Sequence, residues 1–397
     1  MSQRAATITS LPMAFEVVKA MQAEGLEWGE GYRPLGRRAL QEIIEDQMAA
    51  AIDRYLDQLD ADDAADRRNG YYRRHLLTEL GDIELNVPRT RRYSPVEVIR
   101  AYARRTPQID RVILAGFVLG LSTRKVGETL LALLGRPVSA GTVSQVAKTL
   151  DGTVAAFHRR PLQNRYKALM LDGVVLARKT GAGALRRPVL VALGLRPDGK
   201  KEIIDFRLAG SESAAEWEQF LTDLHRRGLT GEGLDMICVD GGSGLLAALP
   251  TVLPNIPVQR CWAHKMRNIL DKVPRKKQKA VKRGLTKIYT AENLFEARAS
   301  ANRWVRSWIG QYPKAVKCLQ DDFDDLLTWF QFPDPDFRRT IRTTNAIERR
   351  FREVRRRTRP MGVFSDRTSA ERILYAVLMY ENINQGVYPV FVLTQNT

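Results

Sequence analysis

Three cysteines are all this chain of 397 residues contains. Cys238, Cys261 and Cys318 are scattered and odd in number, which excludes a disulfide framework and points to a reducing compartment. Long apolar runs are also missing, so a membrane-spanning helix is not expected, and the first residues lack the apolar core of a secretory signal. Acid is scarce relative to base: 45 Asp and Glu stand against 63 Lys and Arg, a net charge of +18. A surplus of that size selects an anionic partner, nucleic acid before others, without fixing its sequence. A ribosomal or membrane-surface protein would share it, so charge alone does not decide the function.

What is present starts with 44% hydrophobic residues, enough for two or three domains, each with its own core. Ala168-Leu169-Met170-Leu171-Asp172-Gly173-Val174-Val175 is an apolar run around one carboxylate, the pattern of a buried strand. An Asp there is expensive to bury unless a cation or hydrogen bonds receive it. An Asp that merely caps a loop at a strand end would give such a run once. Here Met236-Ile237-Cys238-Val239-Asp240-Gly241-Gly242 gives it again, and two strand-borne Asp residues beside glycine suit paired metal ligands at a backbone that a substrate approaches closely.

In chain order, residues 1–66 read as helical, with Ile43, Ile44, Met48, Ile52, Tyr55 and Leu56 forming one apolar stripe between Ala39 and Leu59. Arg67-Arg68-Asn69-Gly70 is expected to turn the chain into a small basic β unit, 67–95, with a hairpin around Leu80-Gly81-Asp82. Arg73, Arg74, Arg89, Arg91 and Arg92 surround two tyrosines there, an interleaving that suits a DNA backbone. Between 96 and 160, Ser122 and Ser139 are N-cap candidates for two short helices separated by Gly135-Arg136-Pro137. That is a helix-turn-helix pattern, with Arg124 and Lys125 on the first helix and Thr142, Ser144, Gln145 and Lys148 as DNA-contacting residues on the second.

From 161 to 260 three strands, the helix carrying Trp217, Phe220, Leu221 and Leu224, and the strand ending at Asp240 follow the order of a ribonuclease H-like core. Its remainder is expected at 336–390, after a helical insertion at 261–335. Pro274 to Lys287 lacks any acid, and Lys276 and Lys277 within it are DNA-contact candidates. The acidic patch Asp321-Asp322-Phe323-Asp324-Asp325 reads as a solvated helix face. The fold class expected is therefore an α/β ribonuclease H-like catalytic core with an all-α insertion, preceded by an α-helical and small-β DNA-binding region with a helix-turn-helix.

A third carboxylate comes from Arg342-Thr343-Thr344-Asn345-Ala346-Ile347-Glu348-Arg349-Arg350-Phe351. Ile347, Phe351 and Val354 form the buried stripe of a helix, and Glu348 lies at its edge. Asn345 followed by Glu348 also spells a capping box, which would only tie down the helix start. The company of Arg349, Arg350, Arg352, Arg355, Arg356, Arg357 and Arg359 favours a helix lying along phosphates near a metal. Hard oxygen ligands select Mg²⁺ or Mn²⁺. Two such ions about 4 Å apart, Asp172 bridging them and Asp240 and Glu348 each holding one, suit an in-line phosphoryl displacement.

Leu169-Met170-Leu171-Asp172-Gly173, Val239-Asp240-Gly241-Gly242, Arg260-Cys261-Trp262-Ala263-His264-Lys265 and Thr343-Thr344-Asn345-Ala346-Ile347-Glu348-Arg349 together resemble the Mutator-type transposases of bacterial insertion sequences. Arg68-Asn69-Gly70-Tyr71 and Leu121-Ser122-Thr123-Arg124 extend the resemblance over most of the chain. It implies a DDE triad of Asp172, Asp240 and Glu348, an insertion before Glu348, terminal inverted repeats as substrate, and transposition through a circular DNA intermediate. Cys261 and His264 carry the family's Cys-x-x-His signature; two ligands do not make a zinc site, and the resemblance implies that the pair shapes the catalytic pocket or contacts DNA near the insertion. The partners expected are inverted-repeat and target DNA and a second copy of the chain, in a homodimer or larger assembly, with no membrane and no small-molecule cofactor. The place expected is the bacterial cytoplasm, at the nucleoid. Two other readings stay open: a transposase-derived DNA-binding regulator without catalysis, and a ribonuclease H-like nuclease or resolvase that cuts without joining.

Overall fold

The computed structural model describes residues 32–61, 65–99, 104–119, 121–180, 183–361 and 367–387. The helical expectation for residues 1–31 and the end of the 336–390 segment lie outside them. The chain divides into two compact units, Met1–Lys148 and Thr149–Thr397, so the segment read as 96–160 is shared between them.

In the first unit, helix α1 (Tyr32–Ala61) lays Met48 on the two-stranded sheet β1 (Arg68–Thr78) and β2 (Gly81–Thr90), against Leu76, Ile83, Leu85 and Val87, and also buries Ile52. The strands pair antiparallel from Thr78↔Gly81 outward. Arg67 to Gly70 differs from expectation: Arg68 to Gly70 already belong to β1, and the irregularity they cause is a shift in pairing between Arg68 and Tyr71, with Gly70 at φ +69°. A bulge accommodates a left-handed glycine without reversing the chain. Three helices follow: α2 (Pro107–Val118), α3 (Thr123–Leu134) and α4 (Ala140–Lys148). Ser122 caps α3 by accepting from the Lys125 N–H, Gly135 ends it in the left-handed region, and Ser139 accepts from the Thr142 N–H at 3.1 Å.

The second unit opens with α5 (Leu150–Arg159) and is built on a five-stranded sheet: β3 (Ala168–Thr180), β4 (Gly183–Leu195), β5 (Lys201–Leu208), β6 (Met236–Val239) and β7 (Val258–Arg260). Its order is β5-β4-β3-β6-β7, with the first three antiparallel and β6 and β7 parallel to β3. One face buries Leu169, Leu171, Ile237 and Val239 under α6 (Ala214–Arg226) and α7 (Ser243–Val252). Trp217, Phe220, Leu221 and Leu224 form the apolar face of α6, as their spacing requires. On the other side lie α13 (Asn345–Met361), which packs on β3, and α14 (Arg367–Asn384), which packs on β5 and α5.

Between β7 and α13 runs the insertion, α8 (Trp262–Leu270), α9 (Arg275–Tyr289), α10 (Leu294–Trp308), α11 (Pro313–Gln320) and α12 (Pro335–Ile341), around a core that includes Trp262, Leu285, Trp304 and Trp329. Gln259 of β7 ties it to the sheet: its amide donates to the Leu326 carbonyl at 3.0 Å and accepts from the Trp329 N–H at 2.9 Å. The acidic patch is a turn and not a helix face, and it is solvated only in part. Asp322 is 14% exposed and pairs with Arg260 at 2.9 Å and with Lys265, because two buried cations there need a counter-charge. Asp321, 58% exposed beside Lys317, Asp324, 80% exposed and paired with Arg298, and the exposed Asp325 fit the solvated description.

Candidate active site

Sheet register brings the two strand acids together. β3 and β6 run parallel with Leu171 opposite Val239, so Asp172 and Asp240 are the next residue on each of two neighbouring strands. Leu169, Leu171 and Val239 point into the α6–α7 core, and alternation sends Asp172 to the face on which α13 packs. Asp172 is 2% exposed, and its Oδ2 has no hydrogen-bond partner. Gly241 and Gly242 then turn the chain: the Asp240 carboxylate accepts from the Gly242 N–H at 2.9 Å, and Gly241 sits at φ +96°. A Cβ on Gly241 would fall inside the Arg260 guanidinium, so this position is glycine for reasons of space as well as backbone.

Glu348 arrives on the first turn of α13, anchored by the buried stripe Ile347, Phe351 and Val354. Its carboxylate meets His264 Nε2 at 3.3 Å and Arg267 Nη2 at 3.2 Å. Behind His264 stands Thr344, fully buried. Its hydroxyl is 3.4 Å from His264 Nδ1 and 3.5 Å from Cys261 Sγ, and its N–H donates to that sulfur at 3.3 Å. The Cys-x-x-His pair of α8 therefore serves as a bracket for the helix that carries Glu348.

The charges respond to one another. Burial pushes the Asp172 carboxyl up to about 7; His264 pulls it down, Asp240 and Glu348 raise it, and a hydrogen bond from Thr344 lowers it. His264 rises to about 9, chiefly through its contact with Cys261 and against its own burial, helped by Asp172 and Asp240. Burial alone would raise the Cys261 thiol, but His264 and Thr344 outweigh it and lower it. His264 is thus an imidazolium at neutral pH, set beside the acid whose proton burial retains. Among the described residues, no group of three His, Cys, Asp or Glu side chains closes around a single ion as it stands; the Glu348 carboxylate is turned to His264 and Arg267.

The basic residues divide by environment. Arg349, Arg352 and Arg355 line a cleft of about 400 Å³ with Asn345 and Glu348. Arg356, by contrast, is paired with Glu353 at 2.8 Å. Arg350 and Arg357 are buried, donating to the Lys201 carbonyl and to Glu353, so they hold α13 in place and do not lie along phosphates. The Arg359 side chain lies outside the described residues. Lys276 and Lys277 are exposed on α9. In the first unit Arg124, Lys125, Gln145 and Lys148 are exposed and Ser144 is half-buried, while the Thr142 hydroxyl is 3.0 Å from Ser139 in the α4 cap. A second basic cleft there, about 540 Å³, is lined by Tyr72, Arg73, Arg74, His75, Arg104 and Arg136. Neither Arg104 nor Arg136 stands out in sequence, since only the fold brings them beside the hairpin. Thr344, an unremarkable residue inside a recognised stretch, and Arg267, two residues beyond another, were also missed.

The family model described as Transposase, Mutator family, matches residues 7–385. The chain belongs to the Mutator family of transposases. It is 31% identical over 359 residues to the transposase for insertion sequence element ISRM5 of Rhizobium meliloti, covering 89% of this chain and 88% of that one. With the transposase for IS256 in transposon Tn4001 of Staphylococcus aureus it shares 34% over 319 residues, 79% and 80% of the two chains. Among solved structures it is similar to the Drosophila P element transposase strand transfer complex, at 12% identity and a TM-score of 0.31, over 75% of this chain and 85% of that one. No described helix of this Mutator transposase family member is long and apolar enough to cross a membrane.

Proposed function

We propose that the protein is a DDE transposase, which binds the terminal inverted repeats of an insertion sequence and performs divalent-metal-dependent strand cleavage and strand transfer on a ribonuclease H-like core. The observation that carries this reading is the convergence of Asp172, Asp240 and Glu348. Two are set by parallel strand register and one by a helix, and both Asp240 and Glu348 lie within electrostatic reach of Asp172. Family membership and the surplus of 18 positive charges support DNA as the substrate.

The donors fit a hard divalent cation, Mg²⁺ or Mn²⁺: all three are carboxylates, and a buried Asp172 oxygen has no other partner. Asp172, Asp240 and Glu348 would hold two ions, whose charge when bound stabilises the attacking and leaving oxygens of an in-line displacement at phosphorus. The chain's own groups do the rest. Arg349, Arg352 and Arg355 bind the phosphates on either side of the cut, and Lys276 and Lys277 extend the basic track. His264, protonated, holds Glu348 at Oε1 until the substrate is seated. In the first unit, Arg124, Lys125, Ser144, Gln145 and Lys148 on α3 and α4, with Thr142 engaged in the cap, form the helix-turn-helix reader of the repeats, and the cleft beside the β1–β2 hairpin takes the backbone. Cutting and joining two ends requires two active centres, hence a homodimer or larger assembly on DNA, measurable by light scattering.

The test is incubation with Mg²⁺ and a plasmid carrying this gene and its native flanks, with nicks mapped at nucleotide resolution. Nicks are expected at the borders of an inverted repeat. Asp172→Asn and Glu348→Gln should each reduce them by about 10³-fold, as loss of several kcal/mol of metal-assisted stabilisation requires. Binding to the ends with no nick in any variant would make the protein a DNA-binding regulator, and nicking without joining would make it a nuclease.

A further inference from the structure

Glu212 lies in the loop between β5 and α6, among Gly210, Ser211 and Ser213, where a helix cap is the ordinary expectation. Ser213 does that capping, accepting from the Glu216 N–H. Glu212 is instead pressed between two glycines. A Cβ on Gly173, the residue after Asp172, would sit 2.6 Å from the Glu212 carboxyl carbon and 2.8 and 2.9 Å from its oxygens. A Cβ on Gly244, in the first turn of the helix that follows Asp240, would overlap the Glu212 carbonyl oxygen. Its carboxylate thus rests on the backbone beside one triad Asp, and its main chain is locked against the helix that begins after the other.

The surroundings are those of a ligand and not of a surface acid. Glu212 is half-buried, and burial together with Asp240 raises its carboxyl while His264 lowers it. Among the described residues no hydrogen bond or ion pair engages that carboxylate. His264 offsets only part of this, since the balance for Glu212 stays upward; a half-buried acid with no hydrogen bond or ion pair, facing Asp240, remains destabilising until a further cation joins them. The buried, unpartnered Oδ2 of Asp172 carries the same implication independently. Glu348 comes from the helix layer on one face of the sheet, and Glu212 comes from the layer on the other, so Asp240, at the end of its strand, is accessible to both.

We infer that Glu212 is a fourth carboxylate of this centre, a ligand to the divalent cation held beside Asp240; this rests on reading Asp172, Asp240 and Glu348 as metal-holding. Mn²⁺ titration of the full-length protein, followed by the electron paramagnetic resonance of free Mn²⁺, tests it beside nick mapping and a melting curve. Glu212→Gln should weaken Mn²⁺ binding about 10-fold and lower nicking with it while melting like the wild type. Glu212→Asp, which keeps the charge but draws the oxygens back, should also weaken binding. Gly173→Ala should reproduce the loss by displacing the carboxylate, and it decides the matter if Glu212→Gln does not fold. Unchanged Mn²⁺ affinity in Glu212→Gln overturns the inference, and so does full affinity in Glu212→Asp, which would reduce Glu212 to a field effect. Asp172→Asn separates the two readings. If it abolishes Mn²⁺ binding and Glu212→Gln changes nothing, only Glu212 is lost; if it too leaves Mn²⁺ binding intact, the metal-holding reading itself fails.

Discussion

The two halves of the acidic centre are held by different means. Asp172 and Asp240 are fixed by main chain: neighbouring parallel strands, a register with Leu171 opposite Val239, and a glycine turn. Glu348 is fixed by side chains, through His264, Arg267 and the Cys261–Thr344 bracket behind them. Backbone register is part of the fold and cannot shift without unfolding a strand. A side-chain bracket has cheaper alternatives, and the carboxylate it holds can be released when a competing charge arrives. One half is therefore a fixed platform, and the other is adjustable.

The largest effect should come from breaking the platform. Gly241→Ala forces a Cβ into the Arg260 guanidinium at φ +96°. Moving Arg260 strips a buried counter-charge from Asp322. Lys265 stays with Asp322, so the loss combines a weakened buried pair with the cost of a non-glycine residue at this φ, together about 3–5 kcal/mol by urea unfolding. Gly242→Ala is the control: its Cβ would find ordinary contacts, 3.6 Å to Asp240, and should change stability by less than about 1 kcal/mol. Equal effects at both positions would mean that the turn is not the rigid element described here.

What was legible in the sequence follows the same division. A carboxylate inside an apolar run is visible because strand burial leaves a periodic trace, so Asp172 and Asp240 could be paired before any coordinates. Glu348 was ambiguous, since Asn345 three residues earlier spells a cap as well as a site; the contacts with His264 and Arg267 are made across 84 and 81 positions of chain that no local pattern spans. Glu212 was invisible for a stronger reason: it sits in a loop whose serines explain the local geometry completely, and only packing against Gly173 gives it meaning. Asp322 was misread because tandem acids look solvated until their buried cations are located. The succession of strands and helices from β3 to β7 was foreseen because hairpin turns and amphipathic helices leave clear marks, whereas the role of each arginine on α13 depended on which way it faced.

A second effect, of opposite sign, tests whether the platform is strained without its ion. Asp172 is held at about 7 against an ordinary value of 3.8. Protonation is then favoured in the folded state, so this group's contribution is intact below about pH 4 and lost as pH rises to about 7 and beyond. Three pKa units correspond to roughly 4 kcal/mol at most. In the presence of a chelator, Asp172→Asn should be more stable than wild type at pH 8, by a few kcal/mol. The gap should vanish near pH 4. A gap that is the same at both pH values would show that burial of this carboxylate is not strained.

The smallest effect on stability, and the sharpest probe of the bracket, is Thr344→Val. The replacement keeps the shape and removes the hydroxyl that stands between Cys261 and His264 and that also bonds Asp172. The fold should lose about 1 kcal/mol, the net worth of a hydrogen bond. Nicking should fall much further, by around 10²-fold, because a reacting geometry displaced by about 1 Å carries that penalty. End binding, measured by gel shift, should be unchanged, since none of the arginines proposed to bind phosphate is touched. Thr344→Ser restores the hydroxyl and should restore nicking. A Thr344→Val protein that nicks at the wild-type rate would mean Glu348 is held by α13 alone, and the contrast between a fixed and an adjustable half would collapse into a single rigid site.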